Sequence, residues 1–242
     1  MFNSFAEIYD ELMDKSLYPK WLKFTERFAP LGTKKVLDLA CGTGDFSILL
    51  ARNNFKVMGL DSSEEMLSIA SSKLDENDVM FVKRDMRNLD GVGIFDLITC
   101  FDDSLNYLLD FSDINKVFSG VYNSLKSGGV FLFDVVSLYQ VDVIYEDFRY
   151  NYSDHDNSLL WNAYQGEKDH SVIHDLVIFK YDSEIDAYHR YSEQQEERAY
   201  EMWQFLDSLK NVGFNEIQTW ADFGQKEIDP KTKRWFFVAR KD

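Results

Sequence analysis

The sequence predicts an α/β fold in which a mostly parallel, seven-stranded sheet carries helices on both faces. Five short apolar runs begin at Val36, Lys56, Val79, Phe95 and Val130, and amphipathic helical stretches separate several of them. Strands that alternate with helices form right-handed crossovers, which bury a parallel sheet between two layers of helices. A glycine turn follows the first run, and two apolar runs close the chain, where an antiparallel pair is expected at the sheet edge.

Two helices are predicted before the first strand. Ser4 and Glu7 form a capping box ahead of apolar residues at helical spacing. The second helix is expected to begin at Pro19, because proline is tolerated in a first helical turn. The strands that follow are predicted over residues 36–40, 56–61, 79–85, 95–101 and 130–136.

Capping residues and glycines mark the remaining helices. Ser62 and Glu65 form a capping box that begins the helix after the second strand. The amphipathic stretch before the fifth strand is expected to stay helical up to the paired glycines Gly128 and Gly129, and a last helix ends at Gly213. Two strands follow it, in "NEIQTWADF" and "KRWFFVARK".

The pattern changes after Ser137. Residues 138–198 are rich in Tyr, Asp and His and alternate polar with apolar residues, which predicts antiparallel strands. We therefore divide the chain into a core, residues 1–137 and 199–242, whose N-terminal helices form a lid, and an antiparallel β insertion after the fifth strand, residues 138–198. The insertion is expected to pack on the core and to cover the substrate.

Composition excludes several classes of partner. The chain has 42 acidic and 26 basic residues and a net charge of -16, which opposes the approach of bulk nucleic acid. The N-terminus carries acids where a signal peptide needs a basic start, and no later run is long enough to cross a bilayer. A cytoplasmic location without a membrane partner is therefore predicted. Cys41 and Cys100 lie in apolar strand-like runs and are expected to be reduced.

The glycine turn predicts a nucleotide-type site. Gly42 and Gly44 follow the first strand, where an open α/β sheet binds its ligand. Glycine permits positive φ and close approach of a ligand to the backbone. Asp61 ends the next strand, 17 residues after Gly44, a spacing at which a carboxylate can accept hydrogen bonds from ribose hydroxyls.

Two features distinguish this turn from a dinucleotide site. Ser47 stands where the dinucleotide fingerprint has its third glycine. Asp38 and Asp45 flank the turn, and carboxylates there would repel a pyrophosphate but attract a cationic amino-acid group.

The segment "VLDLACGTG" resembles the first motif of the class I S-adenosylmethionine-dependent methyltransferases. "VMGLD", "VKRDMRNL", "FDLITCFDDSLNYL" and "LKSGGVFLFDV" resemble that family's later motifs, in the same order. The resemblance covers residues 33–137 and extends to the small-molecule N-methyltransferase branch. It implies a Rossmann-like sheet and S-adenosylmethionine as cofactor.

The resemblance also implies roles for individual residues. Asp38 would face the methionine ammonium, and the backbone from Ala40 to Gly44 would pass beside the methionyl and ribose groups. Asp61 would accept the ribose hydroxyls. Further expected cofactor contacts are Ser62, Met66, Asp85 and Met86 around the adenine, Phe101 and Asp102 after the fourth strand, and Tyr18 and Trp21 in the N-terminal lid.

The residues that act on the acceptor are not fixed by any motif. Methyl transfer depends mainly on placement of the nucleophile. Tyr9 in the lid, and Asn106 and Tyr107 beside the reacting methyl, are the candidates that the resemblance implies. The Asn/Asp-Pro-Pro-aromatic pattern for exocyclic and amide amines is absent, since this stretch reads "FDDSLNY". Cys100 is followed by Phe101 and is interpreted as structural rather than as a nucleophile.

The insertion is the expected source of acceptor specificity, because its position after the fifth strand resembles that of the antiparallel cover in sugar and glycine-type N-methyltransferases. All four histidines, His155, His170, His174 and His189, lie in it. His170 and His174 would share a strand face, but no cysteine accompanies them, and an exposed strand face accounts for them without a metal. Residues 188–191 are either part of an acceptor pocket or the surface of a sheet.

Three classes of function remain open from the sequence. The first is methyl transfer to nitrogen or oxygen of a small molecule. The second is methylation of a protein or structured RNA bound by the modest basic cluster of Lys231, Lys233 and Arg234. The third is a non-catalytic S-adenosylmethionine-binding protein, or an oxidoreductase that uses NAD. The sequence leaves the acceptor and the oligomeric state open.

Overall fold

The computed structural model describes residues 9–10, 13–74 and 79–242 of the chain. The predicted capping box of Ser4 and Glu7 lies outside the described residues. Tyr9 and Asp10, which follow it, are helical.

Eleven strands are formed by the described residues. They are β1 (Lys35–Leu39), β2 (Lys56–Asp61), β3 (Val79–Lys83), β4 (Phe95–Cys100), β5 (Leu125–Val136), β6 (Arg149–Ser153), β7 (Asn157–Gln165), β8 (Ser171–Asp182), β9 (Ala187–Arg198), β10 (Glu216–Trp220) and β11 (Arg234–Arg240). The α-helices include α1 (Leu17–Phe28), α2 (Asp45–Arg52), α3 (Glu64–Ser72), α4 (Phe111–Ser124) and α5 (Met202–Val212), and a 3₁₀ turn at Ser104–Tyr107 follows β4.

Seven of the strands form the main sheet, in the order β10-β11-β5-β4-β1-β2-β3. The strands β1 to β5 run parallel, and β11 lies antiparallel between β5 and β10. The predicted fold class and the antiparallel final pair are therefore confirmed. The strand order reverses direction between β1 and β4, which is the point where sheets of this kind bind ligands.

A hydrophobic cluster covers each face of this sheet. Phe118, Phe133 and Phe205 belong to the cluster under α4 and α5, whereas Trp21 and Phe24 of α1 belong to the cluster on the opposite face. The aromatic rings carry much of the buried apolar area, which is the main source of stability for such a core.

The second sheet is antiparallel, in the order β6-β7-β8-β9. Its strands all come from residues 149–198, so the predicted antiparallel insertion after the fifth strand is confirmed.

Several element boundaries differ from the predictions, and three of them change where a helix begins or ends. Helix α1 begins at Leu17, two residues before Pro19. The N-cap of α3 is Ser63, not Ser62, because Ser63 accepts the Met66 amide hydrogen at 3.2 Å. Helix α4 ends at Ser124 rather than at the paired glycines, because Leu125 is extended, buried and paired with Phe95 as the first residue of β5.

No helix in the described ranges is both long and apolar enough to cross a membrane.

Candidate active site

A cavity of about 340 Å³ opens at the carboxyl ends of β1, β2 and β4. It lies at the reversal point of the strand order. Thirteen of the predicted site residues line it: Tyr9, Tyr18, Trp21, Asp38, Ala40, Gly42, Asp61, Ser62, Met66, Met86, Phe101, Asp102 and Tyr107.

The glycine turn between β1 and α2 forms one wall. Ala40 and Gly42 have positive φ values of 54°, and Gly44, the N-cap of α2, has a φ of 80°. A Cβ at Gly42 would meet no atom within 4 Å, so this position leaves backbone open to the cavity. Gly44 does not line the cavity. A Cβ there would lie 2.6 Å from the Phe81 ring, so Gly44 serves the packing of the turn rather than contact with a ligand.

Asp38 is a buried carboxylate in the floor of the cavity. The hydroxyls of Ser47 and Thr99 donate to its two oxygens at 2.6 and 2.8 Å. Desolvation raises the pKa of Asp38 to about 6, although these two hydrogen bonds act in the opposite direction. Asp38 therefore sits where a cationic group would stabilise its ionised form.

Asp61 connects the end of β2 to the glycine turn. Its Oδ2 accepts the Gly42 amide hydrogen at 2.9 Å, and its Oδ1 accepts that of Ser63 at 2.8 Å. Each carboxylate oxygen has a second lone pair, so the side chain can still accept two hydroxyl hydrogens. The structure thus holds Asp61 in a fixed orientation toward the cavity.

Tyr9 lines the cavity, and the neighbouring Asp10 contacts its wall. The Tyr9 hydroxyl donates to Asp102 Oδ2 at 3.0 Å. Asp10 accepts from Thr43 in the glycine turn and forms an ion pair of 2.5 Å with Lys73, which also contacts Asp45 at 2.8 Å. The Asp45 carboxylate, predicted to favour a cationic ligand, is instead paired with Lys73 and does not line the cavity.

Trp21 fixes α1 against the sheet. Its indole Nε1 donates to Asp134 Oδ2 at 2.7 Å, and its ring stacks on Phe101 with centroids 5.9 Å apart. Trp21 is 2% exposed, so it supports the cavity wall mainly through packing.

Three acidic side chains, Asp102, Asp103 and Asp134, surround Arg234 next to the segment that follows β4. Arg234 donates to Asp134 and Asp103, both at 2.9 Å, and lies 3.6 Å from Asp102. Desolvation raises the pKa values of Asp102 and Asp103, while the Arg234 charge opposes that rise. Of the predicted basic cluster of Lys231, Lys233 and Arg234, the arginine is therefore engaged in internal ion pairs.

Two further predicted residues lie away from the cavity. Asp85 does not line it, and both of its carboxylate oxygens accept from Arg87 Nε at 2.9 Å. Asn106 is fully buried and corrects the expectation of a residue beside the reacting methyl. Its amide accepts from the Val136 amide at 3.0 Å and donates to the Arg198 carbonyl at 2.9 Å, so it joins the two sheets.

The histidines do not share an exposed strand face. His170 precedes β8 with a φ of 60° and contacts Asp142 at 2.7 Å, whereas His174 within β8 is buried. No group of three metal-ligating side chains is found among the described residues. Residues 188–190 are exposed and, like Tyr191, do not line the cavity, so they belong to the surface of the second sheet.

The cysteines differ from each other in position. Cys100 is buried in β4, as predicted, whereas Cys41 follows β1 in the turn and lines the cavity, so it does not lie in a strand. Both are free thiols. Burial raises the pKa of the Cys41 thiol, which keeps it protonated.

The cavity is also lined by Met13, Cys41, Thr43, Phe46, Ser63, Ser104 and Gln195, of which Cys41 and Thr43 belong to the turn backbone already expected beside the cofactor. Ser63 is next to the predicted Ser62 and Phe46 lies in the first turn of α2, directly after the glycine turn, so both could have been found from the motifs. Gln195 comes from β9, far along the chain, and no local signal points to it.

The sequence of this chain is similar to those of known methyltransferases. A family model described as a methyltransferase domain matches residues 36–129. The chain is 39% identical over 243 residues to "Putative methyltransferase YqeM" of Bacillus subtilis (strain 168), an alignment that covers 100% of this chain and 97% of that protein.

Solved structures show the same fold. An S-adenosylmethionine-dependent methyltransferase from Clostridium acetobutylicum ATCC 824 matches with a TM-score of 0.87 and 33% identity, over 98% of this chain and 97% of that chain. The amino pentose methyltransferase CalS10 of Micromonospora echinaspora, solved with bound S-adenosylmethionine, matches with a TM-score of 0.78 over 100% and 98% of the two chains. Its identity is 18%, so this likeness concerns the fold alone. The chain belongs to the S-adenosylmethionine-dependent methyltransferases, and S-adenosylmethionine is its cofactor.

Proposed function

We propose that this enzyme methylates a nitrogen or oxygen atom of a small-molecule acceptor, which binds between the glycine turn and the second sheet. The observation that carries the proposal is the position of Gln195. It belongs to β9 of the second sheet, yet it lines the same cavity as Gly42 and Asp61. The acceptor side of the cavity is thus bounded by the insertion, which suits a small molecule better than a macromolecule.

The residues of the cavity fit the cofactor. Exposed turn backbone at Gly42 and the remaining lone pairs of Asp61 suit the ribose, and the side chains of Met66 and Met86 offer apolar contact to the adenine. Asp38 suits the ammonium group. The adenine role expected for Asp85 is not part of this proposal, because Arg87 pairs with its carboxylate and Asp85 does not line the cavity.

When bound, S-adenosylmethionine supplies a methyl group on a positively charged sulfur. The chain's own residues then place the acceptor and exclude water. Tyr9 and Tyr107 both line the cavity. The Tyr9 hydroxyl donates to Asp102 at 3.0 Å, and the Tyr107 hydroxyl donates to Gln195 Oε1 at 3.1 Å. Because in-line transfer depends on orientation, we assign these two tyrosines to the positioning of the acceptor.

Residues 138–198 are proposed to act as the substrate cover and the N-terminal segment as the lid. The contacts of Asp10 with Thr43 and Lys73 support a closed lid. Closure of such segments removes water and aligns the reacting groups.

A macromolecular acceptor is the second candidate. It is less well supported, because Arg234 of the basic cluster is engaged with Asp103 and Asp134 and the net charge of the chain is -16. Tritium transfer from methyl-labelled cofactor tests the choice directly. We expect label in the metabolite fraction of a cell extract and none in protein or RNA. Label in the macromolecular fraction would overturn the proposal, and cofactor binding without transfer to any fraction would indicate a non-catalytic protein.

A further inference from the structure

A second cavity, of about 750 Å³, lies at the edge of the main sheet opposite to the active site. Its lining includes the first residues of four parallel strands, whereas the active-site cavity opens at carboxyl ends of the same sheet. We call it the basal groove and define it by Lys35, Lys56, Met58, Val79, Met80 and Phe95. Strand β1 has five residues, so its two ends are about 13 Å apart. A ligand in the basal groove would therefore leave the cofactor site free.

The groove exists because one connection between strands contains no helix. Right-handed crossovers place α2 and α3, which follow β1 and β2, on one face of the sheet. The connection from β3 to β4, residues 84–94, returns over the opposite face and forms turns instead of a helix. A parallel sheet normally carries helices on both faces. Met58 and Met80, which are partners in register on the second face, are left without this cover, and Met80 is 60% exposed.

Two lysines lie side by side at one end of the groove. Lys35 and Lys56 are partners in the register of β1 and β2, on strands about 4.8 Å apart, and their like charges repel each other. No acidic side chain among the described residues lines the groove. Asp96, which follows Phe95, is already engaged, since it pairs with Lys126 and accepts two backbone amide hydrogens at 2.8 and 2.9 Å. The groove thus offers two cations to an anion.

The shape and lining of the groove suit a small molecule with an apolar body and an anionic head. Sites for small molecules have volumes of about 300 to 1,000 Å³ and are lined mainly by apolar side chains with a few polar groups. Apart from the two lysines and Gly93, every lining residue of the basal groove has an apolar side chain. The two charges lie at one end, where the strands begin, and the apolar surface extends from them to Met80 and Ile94.

We propose that the basal groove binds an aliphatic carboxylate, whose head group contacts Lys35 and Lys56 and whose chain lies along Met58 and Met80. One carboxylate can accept from both ammonium groups and offset their repulsion, while the chain covers the exposed methionines. The net charge of the chain is -16, so the molecule as a whole repels anions, and a preference for an anion would come from this groove. The inference does not depend on the proposed methyl transfer.

The methionines report on the two cavities separately. Met58 and Met80 line the basal groove, whereas Met66 and Met86 line the active-site cavity. Dodecanoate is titrated into protein with isotope-labelled methionine methyl groups, saturated with S-adenosylhomocysteine, and NMR resonances are assigned with single Met→Leu variants. We expect dodecanoate to shift Met58 and Met80 and to leave Met66 and Met86 where S-adenosylhomocysteine has placed them.

Changes of head group, chain length and lysine test the recognition itself. Dodecanoate should bind at least tenfold more tightly than dodecylammonium, although the net charge favours the cation, and at least tenfold more tightly than octanoate, which has a shorter chain. Lys35→Gln and Lys56→Gln should each weaken dodecanoate binding about fivefold or more. Lys116→Gln is the matched control, since it makes the same change of charge on the surface of α4. All three lysines are exposed, so the variants should keep the native melting temperature.

Several results would overturn the proposal. Dodecanoate could shift Met66 and Met86 instead of the groove methionines, shift none of the four, or bind no more tightly than dodecylammonium. Equal weakening by all three lysine variants would also count against it. A native dimer that Met80→Asp dissociates in sedimentation would show that a second copy of the chain covers the groove. Failure of S-adenosylhomocysteine to shift Met66 and Met86 would contradict the cofactor site alone, so the two failures are distinguishable.

Discussion

The backbone amide of Gly42 donates to the Asp61 carboxylate at 2.9 Å, and this hydrogen bond joins the glycine turn after β1 to the end of β2. A second hydrogen bond, from the Ser63 amide at 2.8 Å, fixes the other carboxylate oxygen. The side chain proposed to accept the ribose is therefore held in place before the cofactor arrives. Such preorganisation lowers the entropy cost of binding.

Substitution of this carboxylate should weaken cofactor binding. Asp61→Ala removes charge-assisted hydrogen bonds and is expected to cost roughly 1 to 3 kcal/mol of binding free energy. Calorimetric titration with S-adenosylhomocysteine measures it. Asp85→Ala is the matched comparison, and we expect less than about 0.5 kcal/mol because Asp85 lies outside the cavity. Equal losses in both variants would contradict the geometry described for the site.

The two glycines of the turn should respond differently to alanine. In Gly44→Ala a Cβ would lie 2.6 Å from Phe81 and 2.8 Å from the Ala70 Cβ, at a φ of 80°. We expect a loss of about 2 to 4 kcal/mol in the free energy of unfolding. Gly42→Ala meets no atom within 4 Å and should cost about 1 to 2 kcal/mol from its positive φ alone. Urea unfolding of both variants checks this order, and a reversed order would refute it.

Arg234 should be a large contributor to stability. Arg234→Met would leave Asp134, which is fully buried, and Asp103 without their cation. We expect a loss of about 2 to 4 kcal/mol in the free energy of unfolding, because a buried charge loses its partner. Arg240→Met is the control, since Arg240 pairs with Glu216 at the surface and should cost less than about 1 kcal/mol. A similar effect of both substitutions in denaturant unfolding would argue against the buried network.

Asp38 should make the stability of the cofactor-free protein depend on pH. Burial raises its pKa to about 6 in the folded state, against an ordinary value of 3.8. The folded state therefore retains this proton at pH values where the unfolded chain has released it. Relative to Asp38→Asn, the free energy of unfolding should fall between about pH 4 and pH 7, by at most about 3 kcal/mol. Denaturant unfolding of both proteins at several pH values measures the difference. A difference that stays constant, or rises with pH, would contradict a raised pKa.

The sequence predicted the parts of the site that depend on local pattern. Asp61 and Gly42 follow apolar strands, and a parallel sheet brings the carboxyl ends of its strands to one edge, so their proximity follows from the strand pattern. The glycines of the turn were identified for the same reason. The different roles of the two glycines were not predicted. The contact of Gly44 with Phe81 depends on packing between elements that are distant in the chain.

The parts that were not predicted depend on contacts across the fold. Arg234 lies 100 residues from Asp134, and Gln195 lies 88 residues from Tyr107. The positions of Arg234 and Gln195 relative to these partners depend on how β11 and the second sheet pack on the rest of the fold. Hydrophobic periodicity does not specify that packing. Asp85 shows the opposite case, in which a neighbour only two residues away, Arg87, takes up the carboxylate that the family motif assigns to the ligand.

Calorimetric titration of the native protein with S-adenosylhomocysteine, and in parallel with NAD, tests most directly the claim that the cavity at the strand ends holds the adenosyl cofactor. We expect one molecule of S-adenosylhomocysteine to bind per chain, with binding weakened in Asp61→Ala, and no measurable heat from NAD. Tighter binding of NAD, or S-adenosylhomocysteine binding that Asp61→Ala leaves unchanged, would contradict it.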